Sequence, residues 1–143
     1  MTQTHITCTR RIEFDMAHRL LNHEGKCKNL HGHHYALEAS FTAPQLDALG
    51  RVVDFGVVKE KLGAWIDANW DHATVLYEKD KKLGEAITRE TGQRIFYLDA
   101  NPTAENLAGY LFSHICPMLF AKLNIECVAI KLYETPNCYV EAR

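Results

Sequence analysis

Apolar and polar positions alternate over two stretches near the N-terminus. Ile6, Cys8, Ile12 and Phe14 share one parity and Thr7, Thr9, Arg11 and Glu13 the other, which predicts a half-buried strand over 5–14 in which Arg10 breaks the buried face. A second strand is predicted over 33–43, with Tyr35, Leu37, Ala39 and Phe41 inward and His33 on the same parity. The polar residues 21–30 between them, with Gly25 and Cys27, read as the loop of a hairpin. The period then changes. Phe55, Val58, Leu62, Trp65 and Ile66 recur at helical spacing behind Asp54, a suitable N-cap, and this helix should end near Asn69-Trp70-Asp71-His72.

Residues 74–100 carry a weaker pattern: a short helix near 81–90, a stop at Thr91-Gly92, and a strand over 94–98. Asn101-Pro102-Thr103-Ala104-Glu105 is a strong helix start, with proline in the first turn and an acid after it. Leu107, Leu111, Ile115 and Leu119 form its apolar stripe, and Pro117 predicts a kink or an early end, because it removes a helix hydrogen bond. Two last strands, over 125–133 and 138–141, flank Glu134-Thr135-Pro136-Asn137. This order suits an α+β fold: an antiparallel sheet with helices on one face, in a single domain over 1–143.

Composition narrows the function. With 47% apolar and 24% charged residues and a net charge of −2, the chain has globular proportions and no basic stripe, which argues against a nucleic-acid binder. No apolar run is long enough to span a bilayer, and Met1-Thr2-Gln3-Thr4 lacks a leader's apolar core, so a soluble, cytoplasmic protein is expected. Five cysteines at irregular spacing read as reduced thiols, with Cys8, Cys116 and Cys127 as small core residues.

Chemistry concentrates around His18 and the stretch Cys27 to His33. On a strand, His31 and His33 leave the same face, and a hairpin would carry His18, in Phe14-Asp15-Met16-Ala17-His18, to them. Three imidazoles with an open fourth position describe a catalytic zinc. Cys27 is either a thiolate base beside that ion or its fourth ligand, and spacing does not choose. Asp71-His72 is either a capping pair at a helix end or a carboxylate-oriented proton shuttle. Glu134 is either a solvated strand-end carboxylate or an acceptor for two parallel N–H groups of a heterocycle. His5, His23, His34 and His114 lack such partners and read as structural.

Taken together, these residues resemble the 6-pyruvoyltetrahydropterin synthase / 6-carboxytetrahydropterin synthase family. The matching pieces run end to end in the family's order: Phe14 to Leu20, His23 to Cys27, His31-Gly32-His33, Val53-Asp54-Phe55, Asp71-His72, Pro102 to Asn106, and Glu134-Thr135. The resemblance implies Zn2+ held by His18, His31 and His33, with Cys27 as the proton-abstracting base. It also implies Asp71, His72 and Glu134 in proton relay and pterin anchoring, with Glu134 on the amino-pyrimidine edge and Glu105 near the pocket. The implied fold is the tunnelling fold (T-fold), a four-stranded antiparallel sheet with helices on one face that closes into barrels on oligomerisation. Homohexamers with sites between subunits are usual.

Cys27, followed after three residues by His31, resembles the bacterial 6-carboxytetrahydropterin branch of the family. That branch converts 7,8-dihydroneopterin triphosphate to 6-carboxy-5,6,7,8-tetrahydropterin, releasing acetaldehyde and triphosphate, on the way to queuosine. Pyruvoyltetrahydropterin synthesis, or non-catalytic binding of pterin and zinc, are the alternatives. Two features depart from the family: Trp70 stands where leucine is common, and the stretch 77–99 is long.

Overall fold

The hairpin predicted at the N-terminus forms the centre of the sheet. The structure, a computed structural model, describes residues 4–143, so Met1-Thr2-Gln3, on which the reading of the N-terminus partly rested, lie outside the described residues. Strand β1 (Cys8–His18) pairs antiparallel with β2 (His31–Thr42) along its whole length, from Cys8 opposite Phe41 to His18 opposite His31. β1 begins later and runs further than alternation predicted: Ile6 is exposed, while Met16 and His18 continue the buried parity of Phe14. β2 pairs with β5 (Glu126–Thr135), and β5 with β6 (Cys138–Ala142), both antiparallel, completing the expected four-stranded sheet.

That sheet is extended beyond β1 by two short parallel strands, β3 (Ala73–Tyr77) and β4 (Ile95–Leu98), giving the order β4-β3-β1-β2-β5-β6. Neither periodicity nor family resemblance predicts β3. Its residues Ala73 to Leu76 are all buried, and a strand covered on both faces shows no alternation. Between β3 and β4 runs helix α2 (Lys81–Thr91), which ends on Gly92 in the left-handed conformation with φ of 74°, a position that favours glycine. The long stretch 77–99 is therefore a compact β-α-β crossover.

Two longer helices cover one face of the sheet. Helix α1 joins Phe55–Val58, a π-helical stretch Lys59–Gly63, and Ala64–Asn69, and the Asp54 carboxylate caps it by accepting the Gly56 N–H at 2.7 Å. Helix α3 joins Ala104–Tyr110, a π-helical stretch Leu111–Ile115, and Cys116–Phe120. Val58, Leu62 and Ile66 of α1 and Leu107, Leu111 and Ile115 of α3 pack on Tyr35, Leu37, Phe41, Ile130 and Leu132 of the sheet. Each such buried side chain stabilises by roughly 1.5–3 kcal/mol.

Two expected stripe positions differ. Phe55 is 53% exposed, because as the first helical residue it lies beyond the packed turn. In α3 the buried positions after Ile115 fall on Cys116 and Phe120, with Leu119 only half-buried. The wide π turn adds a residue ahead of Pro117, which shifts the stripe and lets the helix continue past a residue that cannot donate a hydrogen bond.

The opposite sheet face is polar, with Arg11 on Glu38 at 3.2 Å and His34 on Asp15 at 2.8 Å. No described helix is long and apolar enough to cross a membrane.

Helix α2 meets β4 at Gly84, where an added Cβ would land on the Tyr97 ring, 2.8 Å from Cζ. Gly84→Ala should therefore lower stability by about 1–3 kcal/mol through overpacking. In a Tyr97→Ala background the same change should stabilise by up to about 1 kcal/mol, because alanine favours helix. Urea unfolding of the four proteins of this cycle measures both, and equal effects in the two backgrounds would refute the contact.

Candidate active site

The last pair of the β1–β2 ladder sets His18 directly opposite His31, and the pair two positions earlier sets His33 opposite Met16 on the same face. Side-chain alternation therefore brings three imidazoles together at one end of the core, with ring centroids 4.7–5.2 Å apart. His18 is 1% exposed, and one nitrogen from each ring lies within 4.8 Å of the others.

Main-chain carbonyls settle the tautomers. His18 Nδ1–H donates to the Pro102 carbonyl at 2.8 Å and His31 Nδ1–H to the Asn29 carbonyl at 2.7 Å, since a carbonyl can only accept. Both Nε2 atoms are then bare acceptors, yet they face each other across 3.2 Å. Burial pushes the His18 imidazole down in pKa, against the pull of the Pro102 carbonyl and Glu134. His33 Nε2 is buried with no hydrogen-bond partner, and burial also lowers His33 against the opposing charge of Glu134.

Three imidazoles aimed at one point, with their other nitrogens tied to main-chain acceptors in two of the three, fit a divalent ion. Tetrahedral ligation at about 2.0–2.1 Å would hold two ligating nitrogens about 3.3 Å apart, close to the separation found. Among the described residues, no cysteine or carboxylate lies within that 4.8 Å reach of all three histidines. Cys27 is thus placed outside the ligand group.

Cys27 is half-buried on a 3-10 turn, Lys26–Lys28, and its carbonyl accepts the Leu20 N–H at 2.8 Å. This bond ties the thiol's turn to the chain two residues past His18. Tyr35 connects the parts of the site. Its hydroxyl lies 3.4 Å from His18 Nδ1, and burial, then the charges of Glu134 and Cys27, push its pKa up, so it stays neutral.

Glu134 is aimed by a β-bulge. Tyr133 pairs with Ala36 and Tyr139, Thr135 pairs with Cys138, and the register slips between them, which leaves Glu134 as the extra residue. Its carboxylate lies 3.4 Å from His33 Nε2 without hydrogen-bond alignment and is 29% exposed.

Asp71 and His72 sit at the turn from α1 into β3. His72 takes a left-handed φ of 58°, rare for a side chain with Cβ, and its N–H donates to the Asp15 carbonyl at 2.7 Å. That turn places His72 Nδ1 3.0 Å from Asp71 Oδ2, while Asp71 Oδ1 accepts the Asp15 N–H at 3.0 Å. Burial pushes the Asp71 carboxyl up, but the Asp15 N–H, His72 and Arg94 outweigh it and hold it below its ordinary 3.8. His72 is 76% exposed and lines, with His33, His34, Asp15 and Gln93, an open cleft of about 420 Å³.

Glu105 is exposed in the first turn of α3, where its charge suits the helix N-terminus. Of the remaining histidines, His34 pairs with Asp15 and Glu13, and His23 Nδ1 accepts the Gly25 N–H. Sequence reasoning did not single out the Pro102 and Asn29 carbonyls, because main-chain acceptors carry no residue signature.

The fold and this site define a tunnelling-fold enzyme. The family described as 6-pyruvoyl tetrahydropterin synthase matches residues 7–143, and the chain belongs to it. A Rickettsia conorii relative, named 6-carboxy-5,6,7,8-tetrahydropterin synthase, is 51% identical over 136 residues, covering 95% of this chain and 99% of its own. A Haemophilus influenzae protein of the same name is 28% identical over 138 residues, covering 93% and 95%. In structure, an uncharacterized Wolinella succinogenes protein aligns with a TM-score of 0.82 at 17% identity, covering 98% of each chain. Caenorhabditis elegans 6-pyruvoyl tetrahydropterin synthase aligns at 0.70 with 22% identity, covering 100% of this chain and 98% of that one.

The depressed Asp71 carboxyl has a pH consequence. Its contribution to stability is present above 3.8 and lost as pH falls through the lower folded-state value. Asp71→Asn should lower stability at neutral pH and flatten the acid limb below about pH 4. Urea titrations at pH 3, 4 and 7 test this, and an acid limb as steep as the wild type's would exclude Asp71 as its source.

Proposed function

We propose that this chain is a zinc-dependent carbon-carbon lyase acting on 7,8-dihydroneopterin triphosphate. The products are 6-carboxy-5,6,7,8-tetrahydropterin, acetaldehyde and triphosphate, made in the cytoplasm on the route to queuosine. The observation that carries this reading is the trio His18, His31 and His33, whose ring nitrogens converge with no further cysteine or carboxylate among the described residues to close the group. The 51% identity to a relative named for this product supports the choice of branch.

The three histidines would hold the zinc, which when bound supplies Lewis acidity to a substrate oxygen. Everything else is work for the chain's own groups. Glu134, turned inward by its bulge, accepts two parallel N–H groups from the amino-pyrimidine edge and so sets the pterin's orientation. Cys27 as thiolate takes a proton from the substrate side chain. Its half-burial and its tether to Leu20 keep the sulfur from wandering. Asp71 holds His72 Nδ1, so that Nε2 is the atom that exchanges a proton.

The chain acts as a homohexamer with sites between subunits, and the exposure of His72 on one chain leaves it open to such a neighbour. Glu105, also exposed, would reach the pterin in that setting. The near-neutral charge supports a small-molecule substrate and no contact with RNA.

Zinc-loaded protein incubated with dihydroneopterin triphosphate should yield acetaldehyde and the 6-carboxy product by mass. A pyruvoyl product without acetaldehyde would move the chain to the sister activity, and no turnover would leave a binding protein. Cys27→Ala should retain the full zinc content while turnover drops by about 10²–10⁴-fold. Zinc lost together with turnover would instead make Cys27 a ligand.

A further inference from the structure

His18 is aimed by a main-chain atom from a distant part of the chain, the Pro102 carbonyl, which accepts its Nδ1–H at 2.8 Å. The neighbouring residue is what brings that carbonyl there. Asn101 Oδ1 accepts the Leu21 N–H at 2.8 Å, and Asn101 Nδ2 donates to the Leu21 carbonyl at 3.1 Å. A side-chain amide thus reproduces one rung of a β-ladder, satisfying both main-chain groups of a residue just beyond the strand.

The brace is anchored at its other end. The Asn101 carbonyl accepts the Thr103 N–H at 2.8 Å and the Asn106 side-chain amide at 2.9 Å, which fastens it to the start of α3. Asn22 follows with a left-handed φ of 67°, so the chain turns away immediately after the rung. Removing the rung would leave the segment 18–21 free to slide against 101–102 and would uncouple the imidazole from its acceptor.

We propose that Asn101 is a positioning residue for the metal ligand His18, setting the register in which the Pro102 carbonyl meets Nδ1–H and Nε2 faces the metal point. The inference rests on the zinc reading of the three histidines. The Asn101 side-chain amide is taken up on both its oxygen and its nitrogen by Leu21. It acts through the ring it orients, and the hydrogen-bonding partners of metal-bound histidines typically change metal affinity by about 10–100-fold when lost.

The test compares zinc Kd, by competition with a chromophoric chelator, for wild type, Asn101→Ala and Asn101→Asp. The aspartate keeps the acceptor for the Leu21 N–H but sets a carboxylate against the Leu21 carbonyl. Both variants should bind zinc about 10–100-fold more weakly, and the downfield Nδ1–H proton resonance of His18 should broaden or vanish in the zinc-bound protein. Phe120→Leu, in the core where Phe120 packs on Phe41 at the far end of β2, should lower Tm and leave zinc Kd unchanged.

Unchanged zinc affinity with a retained Nδ1–H signal in Asn101→Ala would overturn the proposal, and if that variant does not fold, the same result in Asn101→Asp would do so. A Phe120→Leu affinity loss in step with its Tm would also overturn it, by reducing the effect to stability. A wild type that binds no zinc would instead fail the underlying metal reading.

Discussion

Two imidazoles that each give their Nδ1–H to a main-chain carbonyl face each other through Nε2 across 3.2 Å, and the structure holds them there. The ladder that pairs His18 with His31 sets their backbones, and two carbonyls take the protons that would otherwise have softened the contact. Burial lowers the pKa of His18. What relieves such an arrangement is a cation between the rings, and the remaining features of this end of the molecule are arranged around that requirement.

The sheet separates chemistry from stability by face. Side chains of one parity along β1 and β2 run from the hydrophobic core into the histidine trio without a break, through Phe14 and Met16 to His18 and through Phe41, Leu37 and Tyr35 to His33 and His31. The ligands therefore stand on the most rigidly packed part of the chain. Groups with less burial, Cys27 on its turn and His72 on a left-handed residue, sit on connections that leave the sheet.

Trp70 shows how the departures from the family pattern are absorbed. It is fully buried and meets Phe14, Trp65, Phe96 and Tyr110 in one aromatic cluster, with ring centroids 5.3–6.4 Å apart. Its Nε1–H has no partner among the described residues, which costs about 1–3 kcal/mol, comparable to what burial of so large a ring returns. Two of those partners, Phe96 and Tyr110, come from β4 and α3. The cluster thus ties the β-α-β extension to the helical layer and steadies the turn that carries Asp71 and His72.

Period and residue type were sufficient for the parts of this protein that repeat or cluster locally. The strands around Phe14 and Tyr35, the Asp54 cap, the helix signalled by Asn101 to Glu105, and the meeting of His18 with His31 and His33 all follow from alternation, capping chemistry and a hairpin, because each depends on neighbours close in sequence; that helix starts at Ala104 behind a Thr103 cap, so Pro102 precedes its first turn. Strand β3 was illegible, since a strand buried on both faces has no period to read, and so was its parallel pairing with β4, whose own residues the pattern over 94–98 had marked. So was the exposure of Phe55, which depends on where the core ends. The tautomers of His18 and His31, the bulge that turns Glu134 toward His33, and the Asn101 brace were decided only by tertiary contact. They depend on main-chain atoms and register slips, and a main-chain carbonyl is the same group whatever side chain stands beside it.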